Sequence, residues 1–158
     1  MTEFRRILVG WDGSPGAAAA LRAAAAIADG DAADGNTEKN SVRGNETACV
    51  TVLAVLRPAP HTEDVDEGAA DLEARRAHAR ETFGKAMDTL SVAVRPRVTL
   101  CFAESGDAAR TVCEYARDHG FDLLVLGRHG VGGLLHPRLG HVPATAARKS
   151  SLPLLLAT

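Results

Sequence analysis

Five apolar runs recur along the chain, separated by stretches with helical periodicity or by polar loops. The runs are Ile7–Val9, Ala48–Leu56, Val98–Phe102, Asp122–Leu126 and Leu152–Ala157. Each is short, rich in Val, Ile and Leu, and apolar at successive positions, which is the pattern of strands buried on both faces. Between the first two runs, Ser14 and Pro15 are suited to the N-cap and first position of a helix. That helix extends through an alanine-rich segment to about Ala28, with Leu21, Ala24, Ala25 and Ala28 on one face. A second helix is predicted from Ala69 to about Leu90, with Leu72, Ala79, Phe83, Ala86 and Leu90 near one face. Gly106-Asp107 lead into a third, in which Ala109, Val112, Cys113 and Ala116 recur at helical spacing. A short helix over Val142–Lys149 precedes the last run.

Strand and helix alternate, so the pattern predicts an α/β fold: a parallel sheet with helices on both faces. At 158 residues the chain suits one domain, 1–158. In such sheets ligands bind beyond the carboxyl ends of the strands, near the point where strand order reverses. Asp12 follows the first strand and Gly127 the fourth, so neighbouring strands would bring both loops to one rim. Two segments break the alternation. Residues 29–47 are polar, contain Gly30, Gly35 and Gly44, and have Val42 as their one large apolar residue; they read as a flexible insertion tolerated at the surface, with a partner-binding loop as the alternative. Residues 57–68 form a linker with Pro58, Pro60 and an acidic cluster. The terminal run Leu152–Ala157 would expose unpaired amides beside apolar side chains if it lay at a sheet edge. Pairing with a second copy removes that liability, which predicts a homodimer on this strand; cover by a loop or helix is the alternative.

Composition narrows the picture. A net charge of -2 provides no basic face for non-specific nucleic-acid binding. No apolar segment reaches membrane-spanning length, and the first residues are too short an apolar run for a signal peptide. Cys49, Cys101 and Cys113 form no CxxC pair or zinc pattern. They read as buried, reduced thiols of a cytoplasmic protein.

The candidate chemistry lies in the loop after the fourth run. Gly127, Gly130, Gly132, Gly133 and Gly140 leave backbone amides open to close approach by a phosphate. The helix that follows would direct its N-terminus at the same place. No Asp or Glu occurs after Asp122, whereas Arg128, Arg138, Arg148 and Lys149 do. An acid-free, glycine-rich, arginine-bearing loop after a buried strand fits an anion, foremost a nucleotide.

With Ile-Leu-Val-Gly-Trp-Asp-Gly-Ser at 7–14 and Asp-Leu-Leu-Val-Leu-Gly-Arg-His-Gly at 122–130, the chain resembles the universal stress protein family over nearly its whole length. ATP-binding members of that family carry glycine, two residues, glycine, nine residues, glycine, then Ser or Thr; Gly127, Gly130 and Gly140 fall at those spacings. The resemblance implies a five-stranded parallel sheet and usually a dimer. It also implies contact of Asp12 with the nucleoside, of the three glycines with ribose and phosphates, and of Val142 with the ligand. Arg128, His129 and Arg138 become candidate phosphate contacts. The motif's hydroxyl residue is His141 here. An imidazole there is compatible with three outcomes: phosphate binding kept, weakened, or restricted to a ligand with fewer phosphates. Pro143 is tolerated in a first helical turn but removes one donor.

Other readings find little support. Gly84-Lys85-Ala86 lies within a helix and lacks the hydroxyl residue of a P-loop. Neither GxGxxG nor GxSxG occurs where it would be needed. His129, His136 and His141 have no nearby acid to complete a metal site. The expectation is a stress-response module that binds ATP, AMP or cyclic AMP, with magnesium accompanying ATP, and that signals as a dimer to an unknown protein partner. Any ATP hydrolysis would be slow, with no catalytic residue assigned. The alternative is an interaction protein whose nucleotide site has degenerated at His141.

Overall fold

The computed structural model describes residues 4–33, 47–58, 65–130 and 139–158. Five strands, β1 (Arg6–Trp11), β2 (Cys49–Leu56), β3 (Val98–Glu104), β4 (Leu123–Gly127) and β5 (Leu154–Ala157), form one sheet in the order β3-β2-β1-β4-β5. Every pairing is parallel. The helices are α1 (Pro15–Ala33), α2 (Val65–Met87), α3 (Ala108–Asp118) and α4 (His141–Lys149). The expected architecture therefore holds, with a single 3-10 turn at Arg95–Arg97 before β3 among the described residues.

Side chains alternate across the sheet and build two cores. Ile7, Val9, Val50, Val52, Leu123 and Val125 face the layer of α1 and α2. Leu8, Leu53, Leu124 and Leu126 face the layer of α3 and α4. Both sides of the central strands are thus sealed, which is why β1, β2 and β4 read as unbroken apolar runs rather than alternating ones. The chain winds outward from β1 through β2 to β3, then returns to place β4 on the other side of β1. Strand order reverses there, so a crevice opens between the carboxyl ends of β1 and β4.

Several element limits differ from the sequence expectation. Helix α1 runs on to Ala33, so residues 29–33 are helix rather than insertion; residues 34–46 lie outside the described residues. Gly30 does not end the helix because Asp29 is anchored: its carboxylate accepts a hydrogen bond from Ser91 Oγ at 2.9 Å and lies 3.6 Å from the Arg97 guanidinium. The same Arg97 donates to the carbonyls of Ala28 at 2.8 Å and Ala48 at 3.1 Å. One side chain thereby ties the chain shortly before the insertion to the chain just after it. Helix α2 starts at Val65, not Ala69. It ends at Met87, although Leu90 beyond it remains buried. Strand β5 begins at Leu154, since Pro153 has no amide to donate to a ladder. Cys49 is exposed at the start of β2, contrary to the expectation of burial, and Cys101 and Cys113 are half-buried. Strand β5 lies at a sheet edge, the condition under which its apolar run would be exposed, with Leu155 37% exposed. No helix among the described residues is long and apolar enough to cross a membrane.

Candidate functional site

A cleft of about 760 Å³ lies at the carboxyl rim of the sheet, on the side of α3 and α4. Leu53, Val55, Val112 and Leu126 give it an apolar floor, and Asp12, Ser14, Ser105, Asp107, His129 and His141 supply polar groups. Gly127, Gly130, Gly140 and Val142 line it as well. Six predicted site residues, Asp12, Gly127, Gly130, Gly140, His141 and Val142, are therefore brought together, and His129 joins them. Arg128 is different. Its side chain is not part of the lining; its backbone donates to Ala157 O at 2.8 Å and accepts from Gly140 N at 3.0 Å, joining β4, β5 and the start of α4. Arg138, with the neighbouring Gly132, Gly133 and His136, lies outside the described residues.

Three helix N-termini border the cleft, and they are in different states. Ser14 is buried and accepts the Ala17 amide at 3.1 Å, capping α1. Asp107 caps α3, its carboxylate accepting the Arg110 amide at 3.0 Å. That bond, followed by the charges of Arg110, Lys149 and His141, holds the Asp107 carboxyl below the usual carboxylate range. Helix α4 has Gly140 at its N-cap and no side-chain cap. The amides of His141 and Val142 are at positions that have no intrahelical acceptor, and Pro143 contributes none. An uncapped N-terminus beside a cleft is a ready anion cradle. Close by, His129 Nε2 is buried without a hydrogen-bond partner. A polar atom left in that condition is costly, and a ligand group is one way to satisfy it.

The motif glycines do not all serve the phosphate in the way the sequence implied. A Cβ on Gly127, the last residue of β4, would lie 2.4 Å from Gly16 C and 2.6 Å from Gly16 O. A Cβ on Gly16 would in turn lie 2.2 Å from His129 O. These two glycines let the first turn of α1 pack directly on the loop after β4. On Gly130, a Cβ would come 2.7 Å from Asp12 Oδ2. Asp12 Oδ1 meanwhile accepts the Ser14 amide at 2.9 Å. Gly130 thus makes room for an acid whose orientation the next turn fixes. Only Gly140, whose Cβ would meet nothing nearer than 3.5 Å, is free of packing pressure.

Sequence reasoning missed Asp107. The loop after β4 is free of acids, but the cleft is not, because the loop after β3 opens on the same rim. The parallel topology was the available signal: every strand-to-helix loop of such a sheet lies at that rim. Asp122, immediately before β4, sits at the opposite rim from Asp12, where its carboxylate accepts the Arg5 amide at 2.8 Å and the Arg6 amide at 3.0 Å.

A parallel sheet with a polar-rimmed cleft at its reversal point defines the class of doubly wound α/β domains, whose ligands bind at that point. Residues 3–158 match the model of the universal stress protein family, and the chain belongs to that family. Among solved structures it is similar to the universal stress protein UspA from Lactobacillus plantarum, with 23% identity, full coverage of both chains and a TM-score of 0.77. A universal stress protein family member from Burkholderia pseudomallei is 21% identical over 99% of this chain and 97% of its own, with a TM-score of 0.64. A universal stress protein in complex with cAMP is 19% identical over 99% of each chain, with a TM-score of 0.60. No curated protein sequence matches it at a significant level.

Proposed function

We propose that this chain is a cytoplasmic stress-response module that binds an adenine nucleotide in the β1–β4 cleft and signals as a homodimer. The observation that carries this reading is the uncapped N-terminus of α4, facing a cleft of about 760 Å³ in which Asp12 is already oriented. In this arrangement the base lies on the apolar floor of Leu53 and Val55. The Asp12 carboxylate accepts hydrogen bonds from the nucleoside. A phosphate takes the His141 and Val142 amides, with the His141 imidazole and His129 Nε2 as further hydrogen-bonding groups. A structural relative that holds cAMP supports the choice of ligand class. Magnesium would accompany ATP through its phosphates.

Binding rather than turnover is the function favoured here. Both acids in the cleft, Asp12 and Asp107, have a carboxylate oxygen engaged by a backbone amide. That disposition suits fixed acceptors better than a general base. Signalling would then follow from nucleotide occupancy at the rim, passed through the Arg128 backbone to β5, whose exposed edge pairs with that of a second copy.

Titration calorimetry of ligand-stripped protein with ATP, AMP and cyclic AMP, with and without magnesium, tests the reading. Saturable binding that weakens at least about tenfold in Asp12→Ala is expected, the loss of a hydrogen bond to a charged acceptor. Absence of heat up to millimolar ligand in the wild type sinks it and favours the interaction-protein alternative.

A further inference from the structure

Among the described residues, the cleft attracts an anion at one point and opposes one at another. Its attractive point is small. Of the three helix N-termini, α1 is filled by Ser14 and α3 by Asp107 itself, which leaves α4. There, Pro143 cuts the first-turn donors to two amides, those of His141 and Val142. Two amides and an imidazole match the oxygens of one phosphate group. Along the rest of the rim stands Asp107, on the loop between β3 and α3.

We propose that Asp107 restricts the ligand of this cleft to nucleotides with a single phosphate group, the nucleoside monophosphates and their cyclic forms, by opposing the added charge of a di- or triphosphate. The proposal rests on the nucleotide reading above and names the ligand class of that same site. Its geometry is that of one ionised carboxylate lining the same cleft as His141, the residue at which the phosphate is cradled. The two groups already feel each other, since the charges of Lys149 and His141 on α4 both help to hold the Asp107 carboxyl ionised. The same reach couples Asp107 to any anion at the α4 N-terminus. One phosphate is compensated there by the amides and the helix dipole. The further phosphates of ATP have no second cradle among the described residues and bring several more negative charges close to the carboxylate. Asp107 is exposed, so the effect is partly screened and falls with added salt.

The test is a comparison of ligands on one substitution. Asp107→Asn keeps an acceptor for the Arg110 amide, and Asn is a good N-cap, so α3 is retained while the charge is lost. Affinities for ATP, AMP and cyclic AMP are measured for wild type and variant without divalent cations, at low and high salt, with melting temperatures as a check on folding. ATP affinity is expected to rise about tenfold in the variant, AMP and cyclic AMP less than about twofold, and the difference to shrink at high salt. Equal changes for all three ligands, or an unchanged ATP affinity, overturn the role of Asp107 and leave the nucleotide site standing. Failure of wild type and variant alike to bind any of the three overturns both. Asp107→Ser, which also caps, gives the same readout if the Asn variant does not fold.

Discussion

Gly127→Ala is a more informative substitution than its size implies. The added methyl would lie 2.4 Å from Gly16 C, 2.6 Å from Gly16 O and 2.9 Å from Ala17 N. All three are backbone atoms of the first turn of α1, so no side chain can rotate away. Either α1 moves off the sheet or β4 does, and both elements sit in the same core. Overpacking of a dense interior costs about 1 to 3 kcal/mol, and with backbone on each side the upper end, about 3 kcal/mol, applies. For a domain of this length that is a fall in Tm of about 6 to 12 °C. Gly140→Ser is the contrast. Its Cβ would be in ordinary contact at 3.5 Å, and the backbone at φ -61°, ψ 164° suits an N-cap serine. It should leave stability equal or higher, because a hydroxyl fills the open end of α4, while weakening phosphate binding by occupying the amides the ligand needs. Thermal unfolding followed by circular dichroism, with nucleotide titration of each variant, separates the two glycines. A Gly127→Ala protein that melts within about 1 °C of the wild type would refute the packing argument.

Arg97→Ala removes charged hydrogen bonds to Ala28 O and Ala48 O from a side chain only 14% exposed, and should cost about 2 kcal/mol in urea denaturation; an unchanged midpoint would mean that the chain around the insertion is not held by this clamp. Asp107 stabilises α3 as an anion, and its folded-state pKa is depressed chiefly by the Arg110 amide. Its contribution is therefore present above the ordinary carboxylate range and lost as pH falls through the depressed value. The stability difference between wild type and Asp107→Asn should accordingly be present at neutral pH and close as pH falls through that lowered value, whereas a difference independent of pH would show that the charge does not matter. Leu155→Lys places a charge on the exposed side chain of edge strand β5. Sedimentation should show monomers for that variant and dimers for the wild type, and dimers for both would move the interface elsewhere.

Where the chemistry was local, the sequence revealed it. Unbroken apolar runs at β1, β2 and β4 imply burial on both faces, and Ser14-Pro15 marks the start of α1 from its own cap chemistry. Asp12, Gly130, Gly140, His141 and Val142 were legible through the family resemblance and its glycine spacing, and they do share one cleft. Properties set by approach between distant segments were hidden. That Gly127 is small for the sake of Gly16, more than a hundred residues earlier, depends on how α1 lies on β4. That Asp107 enters the cleft depends on which loops share a rim. The length of α1 was underestimated because a side chain far along the chain, Arg97, holds its C-terminal turns.

The central claim is that the β1–β4 cleft binds an adenine nucleotide with its phosphate on the α4 N-terminus. The most direct test is titration of the ¹⁵N-labelled protein with AMP and cyclic AMP, followed by amide chemical shifts. The account predicts saturable shifts confined to Asp12–Ser14, Gly127–Gly130, Ser105–Asp107 and Gly140–Val142, the His141 and Val142 amides moving most. A spectrum unchanged at millimolar ligand, or shifts centred away from these residues, would contradict it.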